Sequence, residues 1–112
     1  MAIKQSYRLP LKTERSRLND NGTVLRLENQ TLIYIKSPLT FSRFAIIASK
    51  KVSPLATVRN HLKRSISSIL QEEVAKIPSI DLIIIPKPNA VNLTFQKLKE
   101  EIQLGLKKIY SS

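Results

Sequence analysis

The chain has 112 residues and carries 19 Lys and Arg against 8 Asp and Glu, which gives it a formal net charge of +11 at pH 7. This length suits one domain over residues 1–112, and a hydrophobic content of 42% is typical of a folded protein rather than a disordered basic tail. A domain this basic is expected to bind RNA, DNA or an anionic membrane. The sequence has no cysteine, which excludes a disulfide framework, a thiolate nucleophile and a cysteine-ligated zinc site.

The N-terminal third of the sequence predicts an arm, a helix and two strands. Residues 1–10 are polar and basic, and we expect them to form a flexible arm. They lack the apolar stretch of a signal peptide, and no apolar run approaches membrane-spanning length, so we expect a cytoplasmic protein without a membrane partner. Thr13–Asn21 predicts a short helix that ends at Gly22, and Thr23–Leu27 and Thr31–Lys36 predict strands.

The centre of the sequence predicts a strand followed by an amphipathic helix. Arg43–Ala48 is apolar and rich in residues that favour strands. Ser53 followed by Pro54 is typical of a helix N-terminus, because Ser caps the first turn and Pro tolerates the first helical position. Beyond this point, apolar residues recur at mostly three- or four-residue spacing and predict one buried face: Val58, Leu62, Ile66, Ile69 and Val74.

The same helix carries a second, cationic face. Its polar residues lie one turn apart in two pairs, Arg59 with Lys63 and Asn60 with Arg64. Such a face is either the solvated side of an ordinary surface helix or a phosphate-binding surface. Residues 30–71 include no Asp or Glu, whereas an ordinary surface helix mixes signs because opposite charges four residues apart stabilise it. An acid-free stretch needs a polyanion to offset its self-repulsion, so we favour a nucleic-acid-binding helix.

The C-terminal third predicts one more strand and one more helix. Asp81–Ile85 is apolar without alternation, which indicates a strand covered on both faces. Thr94 is the expected cap of a last helix whose apolar face comprises Phe95, Leu98, Ile102, Leu106 and Ile109. The predicted order is helix, three strands, helix, strand, helix. This order indicates an α+β sandwich in which helices pack on one four-stranded sheet.

The sequence offers little support for catalysis by the protein itself. Its acids are few and scattered, and His61 is its only histidine. A single helical His within a basic stripe is better suited to contact a phosphate or a base than to act as a general base. With Gly22 and Gly105 as the only glycines, a Gly-rich phosphate loop is excluded. We therefore expect no catalytic residue and no metal site built from protein side chains.

Two runs in the central unit resemble the hallmark of a known family. They are Ser49-Lys50-Lys51-Val52 and Arg59-Asn60-His61-Leu62-Lys63-Arg64. In the bacterial ribonuclease P protein component, a strand ends in S-K-K and the following helix carries R-N-R-x-K-R. Weaker similarities in the matching order extend over nearly the whole chain, at residues 7–9, 30–34, 81–88 and 93–95.

The resemblance implies a fold and a function. The implied fold is an αβββαβα two-layer sandwich similar to the second domain of ribosomal protein S5, with a left-handed strand–helix–strand crossover that departs from the usual rule. The implied function is that of an RNA-binding subunit. With a catalytic RNA, and with Mg²⁺ bound mainly by that RNA, it would remove the 5′ leader of precursor tRNA. We infer no obligate protein partner.

The resemblance also assigns roles to individual residues. Arg15 and Tyr34 would contact the single-stranded leader in a cleft between the first helix and the sheet, where an aromatic face stacks on an unpaired base. The catalytic RNA would be contacted by Lys50, Lys51, Arg59, Asn60, His61, Lys63 and Arg64. From the residues alone, Tyr34 is equally an ordinary tyrosine on the sheet surface.

The chain departs from the family pattern at several positions. His61 replaces the second Arg of the hallmark, and imidazole as a class is a weaker cation near neutral pH than guanidinium. Arg15 stands where the family has a Phe that faces the leader, Ser67 and Ser68 replace an Arg and an acid, and Pro86 replaces a common Arg.

Two other functions remain open. They are a ribosomal or general structured-RNA-binding protein of the same fold, and a stand-alone nuclease, which the few acids and single His disfavour.

Overall fold

Two unequal helical layers lie on either side of a four-stranded sheet. The computed structural model describes residues 7–73, 76 and 79–111. The elements are α1 (Leu11–Asn21), β1 (Thr23–Arg26), β2 (Gln30–Lys36), β3 (Arg43–Ile46), α2 (Ala56–Glu73), β4 (Ile80–Pro86), a 3₁₀ helix (Pro88–Asn92) and α3 (Phe95–Ser111). The predicted αβββαβα order is confirmed. Within the described ranges, no helix is both long enough and apolar enough to cross a bilayer.

The strands are arranged β1-β2-β4-β3 across the sheet. β2 pairs antiparallel with both β1 and β4, whereas β3 pairs parallel with β4. The parallel pair is joined through α2, so the strand–helix–strand crossover implied by the resemblance is present, and its left-handed sense stays a prediction. Leu82, Ile83 and Ile84 of β4 are all at most 1% exposed. The prediction that this strand is covered on both faces is therefore confirmed.

Local hydrogen bonds move two helix starts away from their predicted positions. α1 begins two residues early, at Leu11, because the Pro10 carbonyl oxygen accepts the N–H groups of Thr13 (3.2 Å) and Glu14 (3.0 Å). The central helix begins only at Ala56. The Ser53 hydroxyl oxygen accepts the Leu55 N–H at 3.2 Å, so that it closes a turn ahead of the helix instead of capping its first turn.

The larger core lies between the sheet and the pair α2 and α3. Leu62, Ile66 and Ile69 of α2 are buried there as predicted, and Val58 is half-buried. Val74, the last member of the predicted face, lies outside the described residues. From α3 this core receives Leu98, Ile102, Leu106 and Ile109. The predicted apolar face of α3 is therefore confirmed, except that Phe95 is 46% exposed.

The smaller core lies under α1, on the other face of the sheet. Its buried members are Leu9, Leu18, Ala45 and Ile83. Leu9 also donates its N–H to the Phe44 carbonyl oxygen at 2.8 Å, so this part of the chain lies along the free edge of β3. The prediction of a flexible arm over residues 1–10 is thus corrected at its C-terminal end, because Leu9 belongs to the core. Residues 1–6 lie outside the described part of the chain.

Candidate nucleic-acid interface

The cationic face predicted for α2 lies at the surface. Asn60, His61, Lys63 and Arg64 are all exposed. Because an α-helix turns by about 100° per residue, Asn60 and Arg64 lie in the middle of this face. His61 and Lys63 lie at its opposite edges. The periodicity of the sequence therefore places four of the seven predicted RNA-binding residues on one continuous surface.

Lys50 and Lys51 belong to a tight tip between β3 and α2, and both are exposed. The Val52 N–H donates to the Ser49 carbonyl oxygen at 3.0 Å. Val52 itself is only 8% exposed and fixes the tip to the larger core. The two lysines are thus held at the surface by an apolar residue that follows them directly.

Arg59 differs from the other cations of α2 because it is half-buried. One guanidinium nitrogen, Nη1, donates to the Ser53 carbonyl oxygen at 2.8 Å. This bond ties the first turn of α2 to the segment that leads into it. A guanidinium carries five N–H donors, so donors remain for a ligand. Arg59 therefore has a structural role in addition to its predicted role in RNA binding.

The acids nearest the interface pair with cations outside it. Within the described ranges, none of the five predicted RNA-binding Lys and Arg residues at the tip and on α2 forms an ion pair with a carboxylate. Glu72, near the C-terminal end of α2, pairs with Lys99 of α3 at 3.3 Å, and Glu73 pairs with Lys76 at 3.6 Å. The Lys and Arg side chains of the interface are thus not neutralised by ion pairs, which favours a polyanionic ligand.

A groove of about 360 Å³ runs along the Lys63 edge of this face, between α2 and residues 8–11. We call it the β3 groove, since Ala45 and Ile46 of β3 line it. Its lining is mostly apolar, with Arg8 and Lys63 as the two cations. Ser67 also lines it and is 4% exposed. The departure from the family pattern at this position thus places a small side chain where an Arg would extend into the groove.

The second predicted site, a leader cleft between α1 and the sheet, is only partly present as expected. Arg15 is exposed on α1. Tyr34 packs against the larger core, on the α2–α3 face of the sheet, whereas its neighbours Ile33 and Ile35 pack against the core under α1. Successive side chains of a strand point to opposite faces, so Arg15 and Tyr34 lie on opposite sides of the sheet. The expectation that Tyr34 lines a cleft beside α1 is therefore wrong.

The sheet face beside α1 is aliphatic and incompletely covered. Ile33, Ile35 and Ile85 are half-buried there. Val24, the register partner of Ile33, is 45% exposed. A shallow apolar surface thus borders α1, with aliphatic groups instead of an aromatic ring to meet a base.

Sequence reasoning missed the ion cluster that attaches α1 to this face. Asp81 is fully buried, and its carboxylate accepts hydrogen bonds from Arg17 and Arg43. Glu14 accepts from Arg17 Nε at 2.9 Å and from Arg43 Nη2 at 3.4 Å. The hydrogen bond to Asp81 raises the pKa of the Arg43 guanidinium above its usual value. The signal in the sequence was Asp81 itself, because a carboxylate in an otherwise apolar strand needs a buried partner.

The residues that the structure describes include no group of three or more His, Asp or Glu side chains placed to hold a metal ion. The tip, α2 and the sheet face beside α1 instead define a basic α+β protein with an extended surface for a polyanion. The sequence model of the family Ribonuclease P matches residues 3–110, so the chain belongs to that family. The resemblance seen in the hallmark residues is thereby confirmed.

Individual relatives agree with this assignment. The ribonuclease P protein component of Microcystis aeruginosa is 31% identical over 108 residues, which are 92% of this chain and 90% of the relative. That of Lactobacillus helveticus is 28% identical over 89% of this chain and 84% of its own. The solved structure of the Thermotoga maritima RNase P protein superimposes with a TM-score of 0.83 at 26% identity, covering 90% of this chain and 96% of that one. A Staphylococcus aureus RNase P protein mutant has a TM-score of 0.86 at 21% identity over 96% of this chain and 90% of its own, a likeness of fold.

Proposed function

We propose that the protein is the RNA-binding subunit of ribonuclease P, which binds the catalytic RNA and the 5′ leader of precursor tRNA. The observation that carries the proposal is the exposed, acid-free face of α2, with Asn60 and Arg64 at its centre. This face presents four residues of the helical hallmark to solvent, Asn60, His61, Lys63 and Arg64. The general structured-RNA-binding protein of the same fold is not favoured, because the matching relatives are ribonuclease P protein components.

The side chains of α2 suit the backbone of a folded RNA. Arg64 offers a planar fork for two phosphate oxygens, and Lys63 offers a point charge. Asn60 offers an amide that donates to and accepts from RNA or a hydrated ion. Lys50 and Lys51 add two exposed cations at the tip that precedes the helix. Each phosphate neutralised releases condensed counterions, which makes the affinity strongly salt-dependent.

The leader is assigned to the sheet face beside α1. Arg15 lies at the surface of α1 and pairs with a phosphate or stacks on a base. Ile33, Ile85 and Val24 supply aliphatic contact to the bases. Because Tyr34 lies on the opposite face, leader binding in this chain depends on charge and apolar contact more than on aromatic stacking.

The protein contributes binding and orientation, and the RNA contributes the chemistry. Mg²⁺ is held mainly by the catalytic RNA, and the cations of the protein reduce phosphate repulsion so that precursor tRNA docks at lower Mg²⁺. A cytoplasmic location is part of this proposal.

The decisive experiment is cleavage of precursor tRNA by the cognate catalytic RNA at low Mg²⁺, with and without the protein. We expect strong stimulation by the wild type, weaker stimulation by Arg64→Ala and unchanged stimulation by Lys108→Ala, which removes an exposed cation from α3. Removing the leader should weaken binding of the substrate to the complex. A folded protein that binds RNA, gives no stimulation and ignores the leader is instead a general RNA-binding protein. Cleavage without any partner RNA would revive the stand-alone nuclease.

A further inference from the structure

A small slot opens where α2 meets the start of α3. It encloses about 110 Å³ and is lined by residues of α2, the 3₁₀ helix and the first turn of α3. We call it the α2–α3 slot and define it by His61, Ser65, Val91 and Phe95. It lies on the His61 edge of the cationic face, away from the β3 groove, which lies on the Lys63 edge.

Apolar groups at this slot remain in contact with solvent. Phe95 is 46% exposed and Val91 is 37% exposed. The position of Phe95 is fixed by the helix that it begins, because Thr94 Oγ1 accepts the Lys97 N–H at 3.2 Å and the Thr94 carbonyl oxygen accepts the Leu98 N–H at 3.0 Å. Phe95 is therefore a half-exposed aromatic side chain at a capped helix end, where part of its ring can meet a ligand.

The charge around the slot indicates which kind of ligand it binds. None of its lining residues is an acid, and the exposed imidazole of His61 is its only titratable group. The slot is continuous with the exposed face that carries Asn60 and Arg64. A nucleotide suits both the slot and the cationic face beside it, because its base stacks on an aromatic ring while its phosphates contact cations.

We propose that the α2–α3 slot binds one unpaired base of the catalytic RNA, stacked on Phe95 and contacted by His61. The proposal rests on the proposed function, because it requires that the RNA lie on α2. It adds a non-ionic contact to an interface otherwise described by phosphate neutralisation. A base of any type stacks here, and the hydroxyl of Ser65 and the imidazole of His61 provide donors and acceptors for its edge.

The first test compares two exposed phenylalanines in binding to the full-length cognate RNA. Phe95→Leu keeps an apolar side chain but removes the ring. Phe41→Leu is the matched control, since Phe41 is 37% exposed in the β2–β3 connection and pairs edge-on with Tyr7 at a centroid distance of 6.2 Å. Stacking of one base on an aromatic side chain corresponds to roughly 5- to 150-fold in affinity. We expect Phe95→Leu to weaken binding about tenfold, with no change for Phe41→Leu.

The salt dependence separates this proposal from the proposed function. Loss of a stacked base should lower affinity without changing the slope of log Kd against log salt, whereas Arg64→Ala should change the slope. If Arg64→Ala changes RNA binding and Phe95→Leu does not, the proposed base-binding slot is wrong and the proposed function stands. No effect of either variant, together with absence of cleavage stimulation, overturns the proposed function.

A second measurement does not depend on the stability of the leucine variant. A benzophenone amino acid placed at residue 95 should crosslink to a single unpaired nucleotide when the complex with the RNA is irradiated. Crosslinks spread over paired helices would overturn the proposal. So would a change of sedimentation coefficient of the free protein with Phe95→Leu, since that result would mean that a second copy of the chain covers the ring.

Discussion

Arg43 and Asp81 lie side by side on neighbouring parallel strands, and their side chains meet in a two-point contact. Arg43 Nε donates to Asp81 Oδ1 at 3.0 Å, and Arg43 Nη2 donates to Asp81 Oδ2 at 2.8 Å. Arg17 of α1 donates to the same carboxylate, which is fully buried. Although Arg43 belongs to the acid-free stretch of residues 30–71, its charge is therefore paired with Asp81. Through these contacts Arg43 also connects α1, β3 and β4.

Asp81→Asn should destabilise the protein strongly. The substitution removes the negative charge and leaves two guanidinium groups against an amide, and loss of one partner of a buried pair costs about 3–5 kcal/mol. Because Arg17 is 30% exposed in its side chain, we expect the low end of that range. This loss of stability is measured as the decrease in the free energy of unfolding in urea. Glu72→Gln is the control, since its exposed pair with Lys99 contributes less than about 1 kcal/mol. Equal stability of Asp81→Asn and the wild type would show that the cluster contributes nothing net.

The cationic face of α2 could be predicted from local sequence patterns. The face of the sheet on which Tyr34 lies could be determined only from the three-dimensional arrangement. The face that carries Asn60 and Arg64 follows from helical periodicity within one element, and it is present as predicted. The face on which Tyr34 lies depends on strand register and on which helix packs on which side of the sheet. Strand alternation separates Tyr34 from Ile33, but it does not say which of the two meets α1.

The ion cluster escaped prediction for a related reason. Its members Glu14, Arg17, Arg43 and Asp81 come from α1, β3 and β4, and Arg43 and Asp81 are 38 residues apart in the sequence. No spacing rule connects such residues. The apolar surroundings of Asp81 did indicate that it needed a partner, and the parallel register of Arg43 with Asp81 supplies one.

Arg64→Ala and Arg59→Ala should have different effects. Arg64 is exposed, so its removal should lower the salt slope of RNA binding by roughly one counterion and leave stability unchanged. Arg59 also donates to the Ser53 carbonyl oxygen, so Arg59→Ala should lower both the slope and the free energy of unfolding, the latter by about 1 kcal/mol. Titrations of RNA at several salt concentrations and urea unfolding measure the two quantities. An unchanged slope for Arg64→Ala would mean that its side chain remains in solvent in the complex.

Ser67→Arg should increase RNA affinity by filling the β3 groove with a cation. The groove of about 360 Å³ has room for the aliphatic stem of Arg, whose guanidinium would emerge beside Lys63. We expect the salt slope to steepen by roughly one counterion. Ser67→Met is the matched control, because it fills the same space without charge and should leave the slope unchanged. A steeper slope in both variants would assign the gain to packing, and no gain in either would place the RNA away from the groove.

The raised pKa of Tyr110 predicts how the free energy of unfolding changes at alkaline pH. Partial burial of Tyr110, which is still 38% exposed, raises the pKa of its phenol from 10.0 to about 12, with a smaller contribution from the charge of Glu73. The folded state therefore holds the phenol proton more tightly than the unfolded state does. The resulting stabilisation is fully present below pH 10 and is lost as the pH rises from about 10 to about 12.

Tyr110→Phe should remove this dependence. Urea midpoints between pH 9.5 and pH 11.5 should fall less steeply for the variant than for the wild type. Tyr7→Phe is the control, because it removes another of the three tyrosines and leaves Tyr110 in place. Absorbance of tyrosinate in the folded wild type should show a step at the highest pH that is missing from Tyr110→Phe. Parallel curves for the wild type and Tyr110→Phe would mean that the phenol ionises equally well in the folded and unfolded states.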